Sequence, residues 1–204
     1  MKLYYMPAAC SLAPHIALRE AGLPFDLELV DRSKKTKSGD DYMSINPKGS
    51  VPALRLDDGK VLTEAAVIQQ YIADQAPAKQ LAPAAGTAER YRLQEWLNYI
   101  ASEVHKGIGQ LFNPAMPDDY KETVKKGLAS KQFPYLEKAL AGQDYLTGKF
   151  TVADGYLFTV LNWTKLHKID LSAFPNVTAF MKRVAERPAV QEAMKAEGLL
   201  KAAA

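Results

Sequence analysis

The pattern of apolar residues changes once along this chain, and that change limits what the chain can fold into. Up to about residue 75, short runs with strand character alternate with helical runs. Beyond residue 86 every run has the helical period. Interleaved strands and helices make one small α/β layer, whereas an uninterrupted series of helices makes a bundle. Between the two lies APAKQLAPAAG, residues 76–86, with Pro77, Pro83 and Gly86, which is the composition of a connection. The expected organisation is an α/β domain over 1–77, a linker over 78–86 and an all-helical domain over 87–204.

Local chemistry supplies the expected elements. Residues 2–6 (KLYYM) are rich in aromatics and form a strand. Pro7 to Cys10 turn the chain, and Ser11 is placed to cap a helix over 12–21 that Gly22 and Pro24 end. Residues 25–30 (FDLELV) alternate with period two, which gives a strand with one polar face. Residues 31–41 (DRSKKTKSGDD) make a basic loop or a short frayed helix. A third strand spans 51–56, Asp57-Asp58-Gly59 turns back, and 60–62 form the fourth. Over 64–74, Val67, Ile68, Tyr71 and Ile72 share one helical face. In the second half one long helical segment runs over 87–112 and stops at Pro114, and a second covers 117–140. A third starts with the capping box Thr151-x-x-Asp154 and runs to about 168. Pro175 opens a fourth helix, Pro188 separates a fifth, and the chain ends on Ala202 to Ala204.

Composition removes several classes of function. A chain of 204 residues buries roughly 70% of its extended surface, so its core needs no disulfide or metal. Lys and Arg exceed Asp and Glu by 26 − 23 = 3 and are scattered, which argues against nucleic acid as a partner. No apolar run approaches ~18 residues, so no membrane span is expected. Pro7-Ala8-Ala9-Cys10 loosely matches a lipoprotein cleavage box, but the apolar stretch before it is shorter than the ~7–15 residues of a signal core. The lone cysteine excludes an internal disulfide and suits a reducing, cytoplasmic setting. Three unclustered histidines give no reason to expect a metal site.

Five places carry chemistry. Cys10 is either a small buried hydrophobe or a thiol at the positive end of a helix dipole, where a thiolate is favoured. No second cysteine follows three positions on, so a dithiol cycle is excluded and a monothiol reaction is not. Val51-Pro52 is either an edge strand with a trans bond or a cis turn that leaves the Val51 backbone free to pair with an extended peptide. Glu64-Ala65 opens a helix. Its N–H groups are able to hold a carboxylate while Glu64 takes an ammonium, which together bind an amino-acid zwitterion; the plain alternative is a favourable first-turn acid. Asn98, Ser102 and His105 fall on one helical face, apart from the apolar Ile100, Val104, Ile108 and Leu111, and are either a solvated stripe or part of a site that includes Lys106. Lys34, Lys35 and Lys37 are solvent-facing or hold a small anion.

Taken together, MKLYYMPAACSLAPHIALREAG, NPKGSVPALRLDDGKVLTEAAVIQQYIAD, WLNYIASEVHKGIGQLF and FTVADGYLFTVLNWT resemble the bacterial beta-class glutathione S-transferases over nearly the whole chain. The pairing of Cys10-Ser11 with NYIASEVHKG is the class-specific part. The resemblance implies a thioredoxin-like α/β N-terminal domain, an all-α C-terminal domain, a homodimer, and glutathione as co-substrate with a hydrophobic electrophile. By position, Cys10 resembles the residue facing the glutathione sulfur and Lys35 the binder of the glycyl carboxylate. Val51 beside Pro52 resembles the residue pairing with the cysteinyl unit, and Glu64 and Ala65 the γ-glutamyl clamp. Asn98, Ser102, Glu103, Val104 and His105 resemble the helix segment that completes the site, partly from the neighbouring subunit. Ser11, His105 and Lys106 are the candidates for tuning the sulfur. Ala65 departs from the serine common in such transferases, so a hydroxyl contact is absent.

The implied activity is conjugation of the glutathione thiolate to electrophilic small molecules, as in detoxification, with thiol-disulfide exchange at Cys10. The alternatives are a glutaredoxin-like monothiol reductase or peroxidase and a non-catalytic glutathione-binding scaffold. A thiol of pKa ~8.5 is only about 3% thiolate at pH 7. Lowering it to ~6.5 takes about 2.7 kcal/mol, more than a helix dipole gives, so hydrogen bonds or a cation are expected to help. Met6, Pro7, Phe112 and Trp163 are the candidates for an apolar second pocket.

Overall fold

The computed structural model describes residues 1–200; the alanine tract lies outside them. Four strands form one mixed sheet: β1 (Lys2–Tyr5), β2 (Asp26–Leu29), β3 (Ala53–Arg55) and β4 (Val61–Thr63), in the order β2-β1-β3-β4. β1 and β2 are parallel, and the other neighbours are antiparallel. Leu3 therefore stands between Leu27 and Leu54, and Leu54 pairs with Leu62. The parallel crossover is made by α1 (Leu12–Ala21), which ends at Gly22 in the left-handed conformation (φ 68°). α3 (Ala65–Gln75) packs beside α1 on the same face.

The polar side of β2 is solvated at Asp26 but not at Glu28. Glu28 is buried under the 31–41 loop and accepts from the Ser38 N–H at 2.8 Å and the Ser38 hydroxyl at 3.0 Å, with Lys2 at 3.7 Å. The loop ends at Asp41, whose side chain caps a single turn, α2 (Tyr42–Ile45), by accepting from Met43 N–H. Tyr42 from this turn packs against Tyr4 in a small second core with Val30 and Ala53.

α3 is rotated from the expected face. Ile68, Gln69, Ile72 and Ala73 are buried, while Val67 is 48% exposed and Tyr71 only half-buried. Packing against α1 selected the stripe with small Ala65 and Ala73 on it.

Residues 76–87 form a strap pinned at several points: Leu81 is buried, its carbonyl accepts from Val152 N–H at 3.0 Å, and buried Arg90 donates to the Pro83 carbonyl at 2.8 Å. The helical path then continues as α4 (Ala88–Tyr99), a π-helical segment (Ile100–His105), α5 (Lys106–Gly109) and a 3₁₀ turn to Phe112. The expected single segment over 117–140 is two helices, α6 (Asp118–Ser130) and α7 (Gln132–Ala139). Pro134 explains the break, because it has no N–H for the Ser130 carbonyl and its ring crowds that carbonyl. Likewise 152–168 divides at Asn162 into α8 (Val152–Leu161) and α9 (Trp163–Leu166). α10 (Pro175–Ala185) and α11 (Pro188–Ala196) each open on the expected proline. α8 is buried throughout and contacts α1, α3 and α10, so it is the central post of the molecule. No helix among the described residues is long and apolar enough to cross a membrane.

Candidate functional site

The β1–α1 turn places Cys10. Ser11 is fully buried, accepts from Met6 N–H and donates to the Met6 carbonyl, both at 3.2 Å. That pair of hydrogen bonds closes the turn and occupies the Ser11 hydroxyl, so Ser11 acts on the Cys10 sulfur through its backbone N–H. Ala8, at φ 62°, donates its N–H to Glu197 at 3.3 Å and accepts from the Trp163 indole at 2.8 Å. The helical half thereby holds both main-chain polar groups of the residue two positions before Cys10.

Opposite lies the turn before β3, where Val51-Pro52 is cis. Ser50 carbonyl is fixed by the Tyr42 hydroxyl at 2.8 Å and the Asn46 amide at 2.7 Å, and Gly49 carbonyl by Lys34 Nζ at 2.6 Å. The Cys10 thiol donates to the Val51 carbonyl at 3.2 Å. That carbonyl, expected to be free, is thus engaged by the cysteine itself.

At the start of α3, Glu64 holds φ 69°, unusual for a residue with a side chain. Its exposed carboxylate meets Lys48 Nζ at 2.7 Å, which also donates to the Thr63 hydroxyl at 2.9 Å. From the long helix come Ala101, Ser102, His105 and Lys106, and from α8 comes Tyr156, whose hydroxyl lies 2.7 Å from His105 Nδ1. These groups enclose a cavity of about 690 Å³. A larger one, about 930 Å³, lies between the strap, α4 and the 143–151 segment, away from Cys10 and without its chemistry.

Of the expected site residues, Cys10, Val51, Pro52, Glu64, Ala65, Ser102, His105 and Lys106 line this one cavity. Asn98 and Glu103 are exposed and do not line it. Val104 is fully buried with Ile100, Ile108 and Leu111, as the apolar face of this helix predicts, and its side chain does not line the cavity. Lys35 stands exposed on the 31–41 loop, its N–H held by Asp31 at 2.9 Å, and does not line the cavity. Phe112 and Trp163 meet edge to face at 5.3 Å, with Trp163 beside His105, but neither they nor Met6 and Pro7 line the cavity. Tyr156, Ser50, Gln110 and Lys48 went unread in the sequence. Tyr156 comes from a distant helix, and no local pattern marks it.

The electrostatics differ from expectation at Cys10. Burial pushes its thiol up to about 11, the Glu64 charge adds to this, and the N–H groups of Cys10 and Ser11 only partly oppose it. Desolvation outweighs the helix N-terminus, so the thiol is neutral near pH 7. His105 is pushed down to about 4, by burial and then by the Lys106 charge, against the opposing Glu64, so its imidazole is neutral. Burial also raises the Tyr156 phenol, which stays protonated. The site therefore offers a strand-like backbone edge, an acid beside a helix N-terminus, a neutral thiol and a neutral imidazole. It suits an extended peptide that ends in a zwitterion.

Comparison with known proteins bears on these features. The model for the glutathione S-transferase N-terminal domain matches residues 9–75, and that for the C-terminal domain matches 99–188. The chain is 52% identical over 201 residues to "Glutathione S-transferase GstA" of Escherichia coli O157:H7, covering 98% of this chain and 100% of that one. Among solved structures, a sphingomonad glutathione S-transferase complexed with glutathione superposes with a TM-score of 0.94 at 48% identity, covering 98% and 100% of the two chains. The beta-class enzyme of Sphingomonas chungbukensis gives the same values.

Proposed function

Because the chain belongs to the glutathione S-transferase family, we propose that the cavity beside Cys10 binds glutathione and presents its sulfur to an electrophilic small molecule. The supporting observation is the order of the lining groups. Glu64 and the Ala65 N–H suit the γ-glutamyl zwitterion, the Val51 edge beside cis-Pro52 suits the cysteinyl backbone, and Cys10 and His105 flank the place left for the sulfur. Lys35 is the candidate for the glycyl carboxylate, on a loop that Lys34 ties to Gly49. In the reaction the glutathione thiolate attacks an electrophilic carbon, forming a C–S bond as the leaving group departs with its electron pair. The exposed Asn98, Ser102 and Glu103 suit a second copy of the chain, and the lone cysteine suits a cytoplasmic setting.

Glu64→Gln tests this reading. It is expected to raise KM for glutathione about tenfold, from the loss of a charge-assisted contact, in conjugation of a chlorodinitrobenzene. An unchanged KM, or no calorimetric binding of glutathione by the unaltered protein, counts against it.

A second activity rests on Cys10 lining the same cavity. The small thiolate fraction of Cys10 attacks the glutathione sulfur of a disulfide, the S–S bond breaks and the other thiolate leaves; a glutathione thiolate then attacks the glutathione sulfur of the mixed Cys10–glutathione disulfide, which releases oxidised glutathione and returns Cys10 as thiolate, to be reprotonated. Cys10→Ala is then expected to abolish disulfide reduction and retain conjugation. Retention of both activities rejects the Cys10 route.

A further inference from the structure

His105 and Tyr156 sit on different helices and meet through one short bond, 2.7 Å from the phenol oxygen to Nδ1, with the rings edge to face at 5.8 Å and 88°. A neutral imidazole has one nitrogen that donates and one that accepts, and which is which depends on its partners. Of the two groups, the phenol is the stronger acid and the bare imidazole nitrogen the stronger base. The shared proton therefore belongs to the phenol, and Nδ1 accepts. Nε2 then carries the remaining imidazole hydrogen. It makes no hydrogen bond among the described residues and is not among their enclosed, unpartnered atoms. The ring itself lines the cavity with Cys10.

We propose that Tyr156 is a positioning residue: its O–H fixes His105 as the Nε2–H tautomer, so that the imidazole gives the bound sulfur a hydrogen-bond donor and not a base. The inference rests on the glutathione reading for the identity of that sulfur, but the tautomer exists without ligand. A base at this position has little to remove, since a thiolate is the nucleophile. A donor lowers the sulfur's proton affinity and keeps the thiolate facing the ring. In the other tautomer a lone pair would face the thiolate and repel it. The charged and titratable groups around His105 are Lys106 beside it, Glu64 at the start of α3, Cys10 before α1 and Tyr156 itself on α8. Apart from Tyr156, none is within hydrogen-bond distance of the ring.

Two experiments decide it. Nitrogen NMR of the histidine side chains in the ligand-free protein is expected to show His105 as Nε2–H; an Nδ1–H signal overturns the proposal whatever the protein binds. Tyr156→Phe keeps the ring and removes the bond. It is expected to lower kcat for conjugation about tenfold, to leave KM for glutathione within about twofold, and to raise the pKa of bound glutathione, read by thiolate absorbance, by roughly a half to one unit. In a His105→Ala background the same change is expected to have no further effect on that pKa. An unmoved thiol pKa, or an equal shift with His105 removed, overturns the positioning role. Binding of S-methylglutathione, which has no thiolate, serves as the folding control and is expected to be unchanged in Tyr156→Phe. If the unaltered protein does not bind it, the functional reading fails, while the NMR result still stands or falls alone.

Discussion

At the scale of single residues, burial decides the site's chemistry more than sequence position does. Cys10 stands where a helix dipole favours a thiolate, by about 0.3–1 kcal/mol, yet its surroundings push the thiol up to about 11. Alkylation by iodoacetamide is therefore expected to be roughly a hundredfold slower than that of free cysteine at pH 8.5, rising towards pH 11, as followed by mass spectrometry. The folded value lies above the unfolded one, so the stability linked to this thiol is complete below about pH 8.5 and is lost as the pH rises through 11. A fast reaction at pH 7 would show that the thiol is ionised and the reading wrong. His105 has the opposite sign: its folded value is depressed, so its linked stability is complete above about pH 6.5 and lost as the pH falls through 4.

At the scale of elements, the capping box at the start of α8 is the clearest case of a local signal with a distant consequence. Asp154 accepts from Thr151 N–H at 2.8 Å, the Thr151 hydroxyl at 2.9 Å and Leu146 N–H at 2.9 Å, all out of water. Even so, burial raises its carboxyl to about 6. Asp154→Ala leaves these buried donors without an acceptor and is expected to lower unfolding free energy by ~2–4 kcal/mol in denaturant titration. A loss below about 1 kcal/mol would mean that water replaces the carboxylate. Phe150 precedes the cap, but Gly155 fills the position where a staple partner is expected. The structure supplies the reason: a Cβ there would already touch Ile16 at 3.4 Å and Phe150 at 3.9 Å, which leaves no room for the larger apolar side chain of a staple.

Across the whole molecule, the two halves are joined by polar groups at the β1–α1 turn as well as by apolar packing. Glu197, buried just past α11, accepts from Ala8 N–H and from His15 Nδ1 at 2.9 Å, and Arg19 Nε donates to His15 Nε2 at 3.0 Å. Arg187 grips Glu20 with two bonds, at 2.6 and 2.9 Å, and lies 3.7 Å over the Phe150 ring. Glu197→Ala strands the buried His15 donor and the part-buried Ala8 N–H and is expected to cost ~2–4 kcal/mol, with activity and tertiary structure lost in one transition on heating. Two separate transitions would show that the halves unfold independently.

The order of elements was legible in the chain because period, proline and glycine act over a few residues: Gly22, Thr151, Pro175 and Pro188 each mark a boundary that the structure keeps. Cys10, the Val51-Pro52 turn and the Glu64-Ala65 helix start were legible for the same reason, since each is a local backbone device. Tertiary packing alone decided the rest. It selected the buried stripe of α3 and brought Tyr156 from a helix fifty-one residues away to His105. It also set the protonation of the site, because desolvation depends on everything that surrounds a group and has no signature in its neighbours along the chain.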